Sequence, residues 1–126
     1  MRLRVGRIVM AAVAAEVLGV FTLVVLVVLF GPDDQSQTQQ FAERLGAWVG
    51  PLSGFLLCVL GGHWVARNSG NPIRSGLCMG VAAASLDLAV ALAIGATFAP
   101  LLLLSNAGRV IGGAVGGYLA SRSGAA

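Results

Sequence analysis

Three charged residues stand inside runs of apolar sequence: Glu16, Asp87 and Arg109. A charge at the centre of a bilayer costs at least about 2.5–3.5 kcal/mol, so such residues usually pair with one another or mark an ion pathway. If these runs are membrane-spanning helices, a rise of about 1.5 Å per residue brings Asp87 and Arg109 to the same depth and leaves Glu16 shallower. We therefore predict a buried charge cluster, with Asp87 as the first partner of Arg109 and Glu16 as the second.

Three interpretations of this cluster are open. In the first, Arg109 and Asp87 form an ion pair that fixes which helix faces meet, while Glu16 is protonated or hydrated. In the second, Glu16 or Asp87 binds a proton or another cation, as intramembrane carboxylates often do. In the third, the last helix begins near Ser105 and Asn106, and Arg109 then lies at the outer surface. The direction in which helical side chains lean weakens the pairing of Arg109 with Asp87, because the two helices are antiparallel.

The composition of the 126-residue chain indicates a membrane protein with one transmembrane domain covering residues 1–126. Hydrophobic residues make up 57% and charged residues only 10%, whereas about a quarter of the residues of a soluble protein are charged. The lipid bilayer is therefore the expected partner. All eight basic residues are arginines that lie mostly at the ends of apolar runs, a distribution that orients a membrane protein. We expect no binding of nucleic acid, because the arginines form no basic patch.

Four apolar segments are each long enough to cross a bilayer, which requires about 20 residues. They cover about residues 8–30, 45–66, 76–98 and 100–121. The predicted fold is an all-α integral membrane four-helix bundle built from two helical hairpins. The polar stretch Gln35 to Gln40 is predicted to belong to the longest loop. The arginine distribution predicts that both termini are cytoplasmic, and the following residues are predicted interfacial anchors: Trp48, His63, Trp64 and Tyr118.

The last span is rich in glycine, and its glycines form two rows with a spacing of four residues: Gly108, Gly112, Gly113, Gly116 and Gly117. Rows of this kind allow two helix backbones to approach closely, which favours helix association in membranes. The partner is either another helix of this chain, a second copy of it, or another membrane protein.

The ends of the second and fourth spans resemble each other. Each has a glycine pair followed by an aromatic residue and an arginine, and the two sets, Gly61 to Arg67 and Gly116 to Arg122, lie 55 residues apart. This spacing indicates either convergence or a parallel internal repeat, in which two hairpins have the same orientation. Such endings resemble those of small bacterial four-helix membrane proteins without an assigned activity. That resemblance implies a location in the bacterial cytoplasmic (inner) membrane.

A second, local resemblance concerns the six residues Ala14 to Gly19, which look like part of the first helix of small multidrug resistance transporters. That family has four helices, a similar chain length and a membrane-embedded glutamate that exchanges protons for cationic drugs. The resemblance implies that Glu16 is that carboxylate.

An enzyme is not expected, because no set of nucleophile, base and oxyanion donor appears in the sequence. The two cysteines, Cys58 and Cys78, lie in apolar segments and form no CxxC pair, and His63 is the single histidine, so no metal site is predicted. No cofactor is predicted either. We expect a structural or assembly subunit packed through glycine-rich helices. The alternative is a small proton- or cation-coupled transporter that uses Glu16, Asp87 or both.

Overall fold

The chain forms four helices, as seen in a computed structural model that describes residues 5–93, 95 and 100–124. They are α1 (Val5–Phe30), α2 (Gln35–Ala66), α3 (Pro72–Ala93) and α4 (Pro100–Gly124). No strand occurs in the described residues, so the all-α prediction is confirmed. The first three helices are long and apolar enough to cross a membrane, which is consistent with a membrane protein.

Helix α4 does not belong to that apolar group, although it has 25 residues. Its first half contains Ser105, Asn106 and Arg109, which lower its hydropathy. All three are buried inside the protein, whereas Leu104 and Ile111 on the same helix are exposed. These three polar side chains of α4 therefore face the other helices, whereas Leu104 and Ile111 face outward.

The prediction that Gln35 to Gln40 belong to a loop is wrong, because α2 begins at Gln35. Asp34 caps this end: its carboxylate accepts a hydrogen bond from the backbone N–H of Ser36 at 3.1 Å, which satisfies one of the free donors of the first turn. The Thr38 hydroxyl lies within hydrogen-bond distance of two carbonyl oxygens, those of Pro32 and Asp34, and donates its single proton between them. At about 1.5 Å per residue, α2 is longer than the hydrocarbon core of about 30 Å. Its polar first turns can therefore form helix beyond the core.

Helix α3 ends earlier in the chain than the sequence predicts. It stops at Ala93, and Gly95 adopts a φ of +75° while its N–H donates to the carbonyl of Leu92 at 3.2 Å. Glycine takes this left-handed conformation readily and commonly ends helices. The prediction that the helix continues through Gly95 is therefore wrong, and residues 94 and 96–99 of the predicted span lie outside the described part of the chain.

Helix α1 is attached differently from the other three helices. Helices α2, α3 and α4 pack on one another, whereas α1 contacts α2 and α3 but makes no backbone contact with α4. Its buried residues all lie in its first half: Ile8, Ala11, Ala12 and Ala15. The exposed remainder is almost entirely apolar, as expected of a helix that faces lipid. The packing surface of α1 is therefore small and formed mainly by alanine.

Candidate functional site

Arg109 is buried in the protein, with 7% of its surface exposed. Helix α4 begins at Pro100, so the interpretation in which the last helix begins near Ser105 is wrong. At about 1.5 Å per residue, Arg109 lies about 14 Å along α4 from its first residue. This position brings the guanidinium among the other helices.

The Arg109 guanidinium contacts both predicted carboxylates. Its Nε donates to Glu16 Oε1 at 2.6 Å, and its Nη2 lies 3.4 Å from Glu16 Oε2 and 3.3 Å from Asp87 Oδ1. Its Nη1 donates to the hydroxyl of Ser105, one turn earlier on α4. Glu16 is thus the nearer partner, the reverse of the order expected from depth. These three residues form a cluster, here called the Arg109 cluster, which has one negative charge in excess when both carboxylates are ionised.

Gly54 of α2 provides the space through which Arg109 reaches α1. A Cβ atom on Gly54 would lie 3.1 Å from both Cζ and Nη1 of Arg109. The sequence contains a signal, since Gly50 and Gly54 have the four-residue spacing that marks a close helix approach. It does not reveal the rotation of α2, so the role of Gly54 could not be predicted.

Asn106 holds the second carboxylate of the Arg109 cluster. Its amide Nδ2 donates to Asp87 Oδ2 at 3.0 Å and to the carbonyl of Leu102 at 2.8 Å. Two acceptors therefore face Nδ2 and fix the orientation of the amide. Its Oδ1 is buried and accepts no hydrogen bond from the described residues.

A crevice of about 180 Å³ reaches the Arg109 cluster from between α1 and α2. Its lining comes from all four helices: Glu16, Gly19, Val20, Leu23, Val49, Gly50, Ser53, Asp87 and Arg109. The Glu16 and Asp87 side chains are 19% and 23% exposed, whereas that of Arg109 is only 9% exposed. The carboxylates, rather than the guanidinium, therefore present the accessible charge of the crevice.

The Arg109 cluster does not have the composition of a metal centre. Within residues 5–93, 95 and 100–124, no three His, Cys, Asp or Glu side chains come together to hold an ion. No known protein family, characterised protein or solved structure matches this chain. The site is therefore interpreted from its own chemistry, which is a guanidinium between two carboxylates with a polar hydroxyl and an amide beside it.

The first glycine row of α4 faces α2. A Cβ atom on Gly112 would lie 2.5 Å from the carbonyl oxygen of Phe55, and one on Gly116 would overlap the carbonyl oxygen of Val59. Gly108 belongs to the same row, but its Cβ would meet nothing closer than 3.9 Å. Only two positions of this row thus require glycine.

The second glycine row faces α3. A Cβ atom on Gly113 would lie 2.8 Å from the Cα of Gly80, and one on Gly117 would lie 2.5 Å from the carbonyl oxygen of Pro72. On α3, a Cβ atom added at Gly76 would likewise lie 2.8 Å from the Cα of Gly117. Both glycine rows therefore pack against helices of the same chain.

All four predicted interfacial anchors reach the protein surface, three as exposed residues and His63 as a half-buried one: Trp48, His63, Trp64 and Tyr118. Two have an arginine beside the ring. The Arg7 guanidinium lies 4.4 Å from the centre of the Trp64 ring, and Arg122 lies 6.0 Å from that of Tyr118. The contact between Arg7 and Trp64 was not predicted, because the residues are 57 positions apart.

Proposed function

We propose that the protein crosses the bacterial inner membrane four times, with both termini in the cytoplasm. The apolarity of α1, α2 and α3 supports this arrangement, and so does the burial of Ser105, Asn106 and Arg109 in the first half of α4. Arginines precede α1, flank the turn between α2 and α3, and lie near the end of α4, as the positive-inside rule requires. In this arrangement α1–α2 and α3–α4 are the two hairpins of a parallel repeat.

We further propose that the protein is a small transporter that carries a proton or another monovalent cation through the Arg109 cluster. The observation that carries this proposal is the crevice that reaches Glu16 and Asp87. One cation there would balance the excess negative charge of the Arg109 cluster. An unbalanced charge is expensive in a medium of low polarity, so electrostatics favours its uptake.

The arrangement of the charges also provides a simple coupling mechanism. A proton or cation that binds Glu16 competes with Arg109 for the same carboxylate oxygens. When Glu16 is neutralised, Arg109 keeps Asp87 as its counter-ion and remains paired. Because α1 has no backbone contact with α4, weakening the pair between Glu16 and Arg109 removes the ion pair that joins these two helices and leaves α1 held by its packing on α2 and α3. Occupancy of the site and the attachment of α1 are thereby linked.

A liposome experiment tests this proposal. The purified protein is reconstituted into vesicles that contain a pH-sensitive dye, and the proton flux is recorded under a membrane potential. In a second measurement, electrical currents are recorded after a jump in the sodium or potassium concentration. We expect a flux with the wild type and none with Glu16→Gln or Asp87→Asn. Glu43→Gln is the matched control, because Glu43 is an exposed carboxylate outside the crevice. Wild-type currents equal to those of protein-free vesicles would overturn the transport proposal.

A structural or assembly subunit is the second candidate function. It is favoured by the contacts that Arg109 already makes within the chain, since Glu16 and Ser105 accept its N–H groups and Asp87 forms an ion pair with it. The Arg109 cluster would then only fasten α1 to the other helices. The glycine rows of α4 supply no surface for a partner in this role, because α2 and α3 already cover them. An unchanged fold together with the absence of any cation flux would favour this candidate.

A further inference from the structure

A second cavity, outside the Arg109 cluster, lies as a groove on the outer side of α1 and α2. Its volume is about 330 Å³. Among the described residues none of those that line it is charged, and its walls consist of small and apolar residues with one tryptophan: Met10, Ala11, Ala14, Ala15, Leu18, Leu57, Leu60, Gly61 and Trp64. From Met10 to Leu18 it extends about 12 Å along α1, close to half the thickness of a hydrocarbon core of about 30 Å.

One end of this groove carries a cation. Arg7 lies one turn before the groove on α1, and its Nη2 donates to the carbonyl oxygen of Trp64 at 2.8 Å. This single hydrogen bond and the contact with the Trp64 ring hold the guanidinium in place. Both ion pairs among the described residues involve Arg109. Arg7 is therefore positioned at the mouth of the groove without an ion-pair partner in the described part of the chain.

We infer that this groove binds one anionic phospholipid, with an acyl chain between α1 and α2 and the phosphate on Arg7. The apolar groove fits the chain, and the guanidinium offers several N–H donors in the planar arrangement that suits phosphate. Tryptophan favours the headgroup level, which is where the phosphate of a lipid lies. Basic pockets at the cytoplasmic ends of membrane helices bind anionic headgroups, and the arginine distribution places this end on that side.

An anionic lipid fits better than another helix of a membrane protein. The apolar face of another helix could cover the groove but would leave the Arg7 guanidinium without an anion, whereas an anionic lipid satisfies both the groove and the cation. A zwitterionic lipid supplies the same acyl chain but no net charge for Arg7. Charge at the headgroup is thus the property that the site should select.

The fluorescence of Trp64 gives a direct test. Trp48→Phe removes the other of the two tryptophans, and this parent variant is reconstituted in vesicles that contain phosphatidylglycerol or phosphatidylcholine with brominated acyl chains, which quench tryptophan on contact. We expect brominated phosphatidylglycerol to bind about five-fold more tightly, since an arginine near the surface contributes roughly this factor. Arg7→Gln should bring the ratio to about one.

Three further variants control for indirect effects. Arg74→Gln removes an exposed arginine on the same side of the membrane and should leave the preference unchanged. Arg7→Lys keeps the charge and should retain part of the preference. Ala14→Phe fills the groove and should reduce quenching by both brominated lipids. Equal quenching by the two lipids in the parent, or a preference that survives Arg7→Gln in a monodisperse protein, would overturn the inference.

Discussion

Arg109 reaches Glu16 through the space that Gly54 leaves on α2, at an N···O distance of 2.6 Å. The ion pair therefore joins α4 to a helix that its backbone does not touch. A side chain at Gly54 would obstruct it, although Gly54 itself carries no charge. The Arg109 cluster thus depends on Gly54 because this residue has no side chain.

Gly54→Val should consequently weaken the attachment of α1. The Cβ and methyl groups would displace the guanidinium, and overpacking of this kind typically costs about 1–3 kcal/mol. We expect a lower melting temperature in detergent, measured by intrinsic tryptophan fluorescence. Gly50→Val is the matched control one turn away, because a Cβ at Gly50 meets nothing within 4 Å. Equal melting temperatures of the two variants would contradict the role of Gly54.

The charge balance of the Arg109 cluster predicts an order of stability among its variants. Glu16→Gln or Asp87→Asn alone leaves Arg109 with one carboxylate, a neutral pair, and should be tolerated. Arg109→Met leaves two carboxylates without a cation and should be severely destabilising, by about 3–5 kcal/mol if the charges stay buried. Yield and melting temperature of the purified variants measure this order.

Combined variants separate charge from packing. Glu16→Gln with Asp87→Asn leaves Arg109 alone and should be as damaging as Arg109→Met, whereas the triple variant with Arg109→Met has no charge left and should recover. This recovery is the non-additivity expected of groups in contact. If the effects of the three substitutions simply add, the charges do not act as one cluster.

The sequence predicted the members of the Arg109 cluster but not their arrangement. Charges in apolar runs can be identified by inspection, and the depth of each follows from the helical rise. The order of the partners depends on helix rotation and on the small residues between helices, and neither is visible in one sequence. The helix at Gln35 was missed for a related reason: polarity was interpreted as a loop, although the cap at Asp34 and the length of α2 allow a polar helix outside the hydrocarbon core.

The glycines of α4 should differ in their tolerance of alanine. Gly112→Ala and Gly116→Ala place a methyl group against the α2 backbone and should destabilise the protein by about 1–3 kcal/mol. Gly108 belongs to the same row, but a Cβ atom at this position would make only ordinary van der Waals contacts. Gly108→Ala should be neutral or slightly stabilising, because alanine is the better helix former. Denaturation in a mild detergent compares the three variants, and a loss with Gly108→Ala as large as with Gly112→Ala would contradict this packing.

The crevice should admit water, which a cysteine inside it can report. After Cys58→Ala and Cys78→Ala remove the two native thiols, Leu23→Cys is placed in the crevice and Val13→Cys on an exposed face of α1 outside it. A membrane-impermeant methanethiosulfonate reacts with a thiolate, which forms in water but not in lipid. We expect Leu23→Cys to react and Val13→Cys to remain unmodified.

The charge of the reagent extends this test to the Arg109 cluster. The excess negative charge should attract a cationic methanethiosulfonate over an anionic one, and Glu16→Gln in the Leu23→Cys protein should reduce that preference because it removes the excess. The ratio of the two modification rates is the quantity to measure in proteoliposomes. A ratio that is unchanged by Glu16→Gln would show that the carboxylate does not influence ions entering the crevice, and the transport proposal would then lose its electrostatic basis.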